Sequence, residues 1–271
     1  MFDLITATQA TERDLGAIID VLDGLADVGW NTPLRCRGWQ VTDLAAHLVG
    51  ASRGQAEGLS RAARAQAEGP SRADRAAGSN GPVRLALPSD REPRSLLAAL
   101  KDGQDRLLSA LREFPPAALT DVVPLPFGLL PAAVALQIVP LEYGFHRNDL
   151  EWALGDPVAL GQDISAALLG AVPGLLPMLA AGSPVHSPGT KPAEPVSFRL
   201  ASPGFRFLAS YAGGTWSVGA DDGHATATYE ISGANSPVAL FVMGRIGAAH
   251  PDLTVSDLGA ARAFKQYFPG P

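Results

Sequence analysis

Apolar positions in the first half of the chain recur at the spacing of amphipathic helices. This pattern predicts four helices, at about residues 11–27, 42–67, 94–114 and 131–154. Thr42 is expected to cap the second helix, with Asp43 in its first turn. The segment 68–84 is rich in Gly, Pro, Ser and Arg and has no apolar period, so it predicts a loop. Four helices of this length predict a bundle.

The pattern changes after residue 157. A helix is predicted at 163–181, and a Pro, Ser and Gly-rich loop follows it. Short alternating segments separated by turn sequences then predict an antiparallel sheet, with strands at 196–200, 205–211, 215–218 and 225–231. Two more helices are predicted, at 237–246 and 259–268. The chain is therefore expected to be α+β, with a helical bundle in 1–157 and a smaller α+β domain in 158–271.

Two apolar stretches, 122–141 and 164–181, raise the question of a membrane span. Both contain several prolines, and each break in a helix within lipid would leave carbonyl groups without partners. We interpret them as buried helices and the wall of an apolar pocket. The N-terminus resembles no targeting segment, and we expect a cytoplasmic protein without a membrane partner.

The net charge and the cysteine content limit the possible partners and the cellular compartment. A net charge of −6 argues against a nucleic-acid partner, because no basic stripe is present to contact phosphates. The single cysteine excludes an intramolecular disulfide and fits a reducing compartment.

Three residues suggest metal chemistry. Glu142 and His146 have i, i+4 spacing, which places both on one helix face, and His47 would complete the site from the second helix. Two imidazoles and a carboxylate are a ligand set of open, catalytic zinc sites. The alternative is that this spacing arose by chance and that the histidines are hydrogen-bonded core residues, and spacing alone leaves both possibilities open.

Residues 32–48 read T-P-L-R-C-R-G-W-Q-V-T-D-L-A-A-H-L. This segment resembles the signature T-P-x-x-C-x-G-W-x-V-x-D-L-x-x-H-L of the mycothiol-dependent maleylpyruvate isomerase family, which lies within the DinB-like superfamily of metal-binding four-helix bundles. Residues 127–155 are similar to the second family signature, f-G…E-x-x-x-H-x-x-D…a-x-G. The resemblance implies that His47, Glu142 and His146 bind zinc or another divalent metal.

The second half resembles the sterol-carrier-like C-terminal domain of the same family. In that domain a helix after the sheet ends in a Gly-Arg pair, and Gly244-Arg245 stands in that place here. The resemblance implies a catalytic and cofactor-binding role for Arg245, whose guanidinium would clamp a carboxylate of the thiol or of the substrate. A surface ion pair is the alternative.

The resemblance also implies an activity. Coordination to zinc deprotonates a thiol at neutral pH. In the family reaction the thiolate of mycothiol adds to a cis-enedioyl acid, the new single bond rotates, and elimination returns the trans isomer, whereas relatives act as S-transferases. We therefore expect a zinc- and mycothiol-dependent isomerase or S-transferase, a monomer or homodimer, that acts on a small molecule.

Several neighbours of the predicted ligands have two interpretations. Asp43 lies at i−4 from His47 and Asp149 at i+3 from His146, so each carboxylate would either orient a histidine ring or cap a helix. Cys36 is not among the ligands of the family and is interpreted as a buried structural thiol.

Other residues near the ligands are expected to be structural. Trp30 and Trp39 are expected to pack the loop before the second helix. Pro140 is expected to kink the fourth helix or to mark its restart.

Two other functions remain open. One is a tailoring enzyme on the same scaffold that acts on a hydrophobic small molecule without a thiol, as the apolar stretch 122–141 would favour. The other is a non-catalytic carrier of an apolar ligand.

Overall fold

The structure is a computed structural model, and it describes residues 3–36, 38–68, 83, 85–126, 128–156, 158–182 and 188–270. The chain folds into two compact units, Met1–Val158 and Ala159–Pro271. The sequence predicted this boundary after residue 157, one residue before the boundary in the structure. The predicted loop at 68–84 lies almost entirely outside the described residues.

The four predicted helices of the first unit are present. They are α1 (Leu4–Asp23), α2 (Val41–Glu68), α3 (Pro93–Arg112) and α4 (Ala132–Ala153), with short 3-10 turns at Asp27–Asn31 and Pro116–Thr120. The first helix begins earlier than predicted because Asp3 caps it, accepting a hydrogen bond from the Thr6 backbone at 2.7 Å. The apolar faces of α1 and α2 pack against α3, and α1 also packs against α4.

A hairpin occupies the start of the apolar stretch at 122–141, where buried helices were expected. Strands β1 (Val122–Leu125) and β2 (Gly128–Pro131) pair antiparallel, and β1 packs against α2. Pro124 and Pro131 lack the N–H that a helix interior requires. A two-stranded ribbon tolerates both, because each strand is an edge strand.

Helix α4 runs through Pro140 as one element, so the expected restart at this proline does not occur. The residue is buried, and its neighbours Val139 and Leu141 are buried with it. The missing N–H removes only one intrahelical hydrogen bond, and packing on both sides holds the remaining turns in place.

The second unit combines three helices with a five-stranded sheet. Its helices are α5 (Gln162–Ala181), α6 (Asn235–Val242) and α7 (Leu258–Tyr267), and its strands are β3 (Val196–Ser202), β4 (Phe205–Ala212), β5 (Thr215–Ala220), β6 (Tyr229–Gly233) and β7 (Leu253–Val255). The strand order is β5-β4-β3-β6-β7. These elements confirm the α+β class.

The sheet is mixed, whereas the sequence predicted antiparallel pairing. Strand β6 pairs parallel with β3, and the other neighbours pair antiparallel. The alternating pattern of β6 identifies a strand but carries no information about its partner. Strand β7 is only three residues long and was not predicted.

An aromatic cluster forms the core of this unit. The Phe198 ring lies 5.3 Å from Phe264 of α7, and Phe264 lies 4.8 Å from Phe268.

Among the described residues, α5 is the one helix long and apolar enough to cross a membrane. A single such helix is weak evidence, since core helices of soluble proteins meet the same criteria. It packs against β5 and α6.

Candidate metal centre

The three predicted metal ligands meet between α2 and α4. One donor atom from each of His47, Glu142 and His146 lies within 4.8 Å of the others. Glu142 Oε1 lies 2.6 Å from His47 Nε2 and 3.6 Å from His146 Nε2. The structure therefore brings together the residues that the two motifs contribute from points about 95 positions apart.

Burial of the neighbouring side chains fixes the orientation of both helices. Leu44 and Leu48 flank His47 in sequence and are fully buried. Tyr143 follows Glu142, is fully buried, and donates its hydroxyl to Gln55 Oε1 of α2 at 2.7 Å. This buried bond ties α4 to α2 beside the cluster.

The electrostatics of the cluster favour positive charge. Burial alone would raise the pKa of Glu142, but His146 and His47 hold it well below its usual range. Burial would likewise lower the pKa of His146, yet Asp149, Cys36 and Glu142 together raise it well above its ordinary value. A divalent cation among these donors would supply the positive charge that the carboxylates attract.

A second group of side chains lies behind His146. Its Nδ1 is 3.4 Å from Asp149 Oδ2, and Asp149 is fully buried. The Arg35 guanidinium donates to Asp149 Oδ1 at 3.0 Å, and the Cys36 thiol donates to Asp149 Oδ2 at 3.4 Å. Asp149 therefore lies in the position expected of a carboxylate that orients the His146 ring.

Cys36 is half-buried, so the prediction that its thiol is buried was wrong. Cys36 lies on the loop before α2, and its thiol contacts the buried Asp149 carboxylate from that loop.

Asp43 makes the contacts of the helix-capping alternative. Its Oδ2 accepts a hydrogen bond from the Gln40 backbone at 3.1 Å, and its Oδ1 pairs with Arg91 at 3.4 Å. It therefore caps α2. Thr42, predicted as the cap, lies inside the first turn and donates its hydroxyl to the Trp30 carbonyl at 2.8 Å.

Trp39 belongs to the site, although the sequence indicated only loop packing. Its ring centroid lies 5.0 Å from that of His47 and 6.0 Å from that of His146, and it stacks on the latter. Its presence in the same motif as His47 was the available signal. Trp30, by contrast, is buried, as expected of a packing residue.

Arg245 lies in the second unit, just after α6. Its side chain donates to the Met243 carbonyl at 3.1 Å. Nearby, Lys265 donates to the Val242 carbonyl at 2.7 Å, and burial together with the Arg245 charge lowers the pKa of Lys265 to about 7. The role of Arg245 in binding the substrate or the thiol stays a prediction.

Residues 13–151 match the family model described as the mycothiol maleylpyruvate isomerase N-terminal domain, over slightly more than half of the chain. The chain belongs to this family. The matched range includes α2 and most of α4, and thus His47, Glu142, His146 and Asp149.

Solved structures extend the likeness to the second unit. The crystal structure of a mycothiol-dependent maleylpyruvate isomerase matches with a TM-score of 0.64 and 16% identity, over 94% of this chain and 93% of that one. A histidine-to-alanine mutant of such an enzyme matches over the same shares with a TM-score of 0.63 and 16% identity. Identity this low establishes a shared fold alone. No curated protein shows significant sequence similarity to this member of the maleylpyruvate isomerase family.

Proposed function

We propose that this protein is a metal-dependent enzyme that activates a low-molecular-weight thiol, mycothiol, to isomerise or S-conjugate a small electrophilic substrate. One observation carries the proposal: two imidazole nitrogens and a carboxylate oxygen, from His47, Glu142 and His146, lie within 4.8 Å of one another. Membership of the mycothiol maleylpyruvate isomerase family supports mycothiol as the thiol. The chain has a single cysteine, which fits a reducing compartment, and we propose that the protein is cytoplasmic.

The donor set fits zinc. Nitrogen and carboxylate ligands suit this ion, and three protein ligands are the number typical of catalytic sites. With zinc bound, the open fourth position would accept a thiol and keep it as a thiolate at neutral pH. His47, Glu142 and His146 would be the residues that hold the ion.

The surrounding residues would prepare this site. Asp149 faces His146 Nδ1, so it favours the tautomer in which that nitrogen carries the proton and Nε2 is free to bind metal. Arg35 holds the other oxygen of Asp149 in place. Trp39 packs beside both histidine rings.

Calorimetric titration of mycothiol into the zinc-loaded protein tests the proposal, with glutathione as the control ligand. We expect mycothiol to bind with release of a proton, measured in buffers of different ionisation enthalpy, because a zinc-bound thiol is deprotonated. His146→Ala should abolish both zinc binding and the mycothiol signal. The exposed His224 offers a matched control, and His224→Ala should retain both.

The contrary result is also informative. If a protein with a confirmed full complement of zinc gives no heat with mycothiol, the thiol proposal fails. The tailoring enzyme without a thiol and the carrier of an apolar ligand would then be the remaining candidates.

A further inference from the structure

We propose that Cys36, His146 and Asp149 form a second metal site, specific for thiophilic ions such as Zn²⁺ or Cd²⁺, which shares His146 with the first site. The Cys36 sulfur, a His146 ring nitrogen and an Asp149 carboxylate oxygen all lie within 4.8 Å of one another. His146 would use Nε2 for the first ion and Nδ1 for the second. The imidazole would then bridge two metal ions.

The spacing of the donor atoms matches tetrahedral coordination. Zinc bonds of about 2.0–2.3 Å to N, O and S place neighbouring ligand atoms roughly 3.3–3.5 Å apart in a tetrahedron. Asp149 Oδ2 lies 3.4 Å from Cys36 Sγ and 3.4 Å from His146 Nδ1. The two measured edges therefore need no rearrangement of the side chains.

An independent observation comes from His146 itself. The residue is 8% exposed, and within the described part of the chain its Nδ1 makes no hydrogen bond of good geometry. Its distance of 3.4 Å to Asp149 Oδ2 is that of an ion pair, and the two atoms are not hydrogen-bonded. A buried ring nitrogen without such a bond costs free energy, and a metal ligated at Nδ1 would remove that cost.

The charges around the second site also suit a cation. The Arg35 guanidinium donates to Asp149 Oδ1, and Oδ2 of the same carboxylate faces Cys36 and His146. Binding would release one proton from the Cys36 thiol and one from His146 Nδ1, both to solvent. The thiolate and imidazolate then bring two negative charges to the second ion, beside the Asp149 carboxylate whose other oxygen Arg35 pairs. Thiolate ligation favours Zn²⁺ and Cd²⁺ over Mg²⁺.

Cobalt titration of the metal-free, full-length protein tests this inference. We expect two equivalents of Co²⁺ to bind, the second producing a near-ultraviolet sulfur-to-cobalt charge-transfer band. The chain contains one cysteine, so any such band reports Cys36 alone. Cys36→Ser should lose the band and the second equivalent while it keeps the first.

His47→Ala gives the reciprocal control. It should lose the first equivalent yet keep the charge-transfer band, because Cys36, His146 and Asp149 remain. Saturation of the wild-type protein at one equivalent without a band would overturn the proposal. A band that develops with a single equivalent would also overturn it, since Cys36 would then ligate the first ion. Neither result bears on whether mycothiol binds, so the two proposals fail separately.

Discussion

Asp149 connects the predicted metal ligands to the loop before α2, because its two carboxylate oxygens face different groups. One oxygen accepts from Arg35, and the other faces His146 Nδ1 and Cys36. Asp43 offers the same side chain at a similar distance in sequence from a histidine, yet it caps a helix and pairs with Arg91. The difference arises because Asp149 points into the bundle, whereas Asp43 stands at its exposed end.

These contacts predict different effects of the same conservative substitution. Asp149→Asn should weaken the binding of the first zinc ion roughly 10- to 100-fold, because it removes the negative charge that faces His146 Nδ1 and favours the tautomer with Nε2 free. Asp43→Asn should leave that affinity unchanged. Competition with a chromophoric zinc chelator measures both, with circular dichroism to establish that each variant is folded. Equal affinities for the two variants would contradict the role of Asp149.

At the scale of elements, α2 is held from two sides, by α3 and by the β1–β2 hairpin. Close approach of the hairpin depends on Gly58 of α2. A β-carbon there would lie well inside contact distance of the Pro124 carbonyl oxygen, which is backbone and cannot rotate away. Gly16 of α1 differs, since a β-carbon there would meet Gln104 Nε2 at 3.6 Å, an ordinary contact.

Two glycine-to-alanine substitutions should therefore change stability in opposite directions. Gly58→Ala should lower the free energy of unfolding by about 1–3 kcal/mol, because the hairpin must move. Gly16→Ala should raise it by roughly 0.5–1 kcal/mol, since alanine restricts the unfolded chain and fits the helix. Urea denaturation followed by circular dichroism measures both. A stabilised Gly58→Ala protein would show that β1 does not approach α2 as described.

At the scale of the whole molecule, the chain forms two compact units, and all the predicted metal ligands lie in the first. A ligand stabilises the structure that binds it and has no direct effect on a separate cooperative unit. Metal removal should therefore affect the two units differently.

Hydrogen exchange with and without zinc tests this expectation. With free zinc at 100 times its Kd, the slowest amides of α2 and α4 should exchange roughly 100-fold more slowly, which corresponds to about 2.7 kcal/mol. The amides of β3 and β4 should be unaffected. His47→Ala should abolish the change. Equal slowing in both units would mean that they unfold together, and no slowing would contradict the metal site.

The sequence alone determined the helices of the bundle and the α+β class, because apolar periodicity is a local property. It indicated the residues of the candidate metal centre only through the resemblance of two short motifs to those of a known family. The path of β1–β2, the parallel pairing of β6 and the uninterrupted helix at Pro140 depend on contacts distant in sequence. The same holds for Trp39 over the histidines and for Cys36 at Asp149. Only the packed structure decides which side of a histidine ring each neighbour occupies.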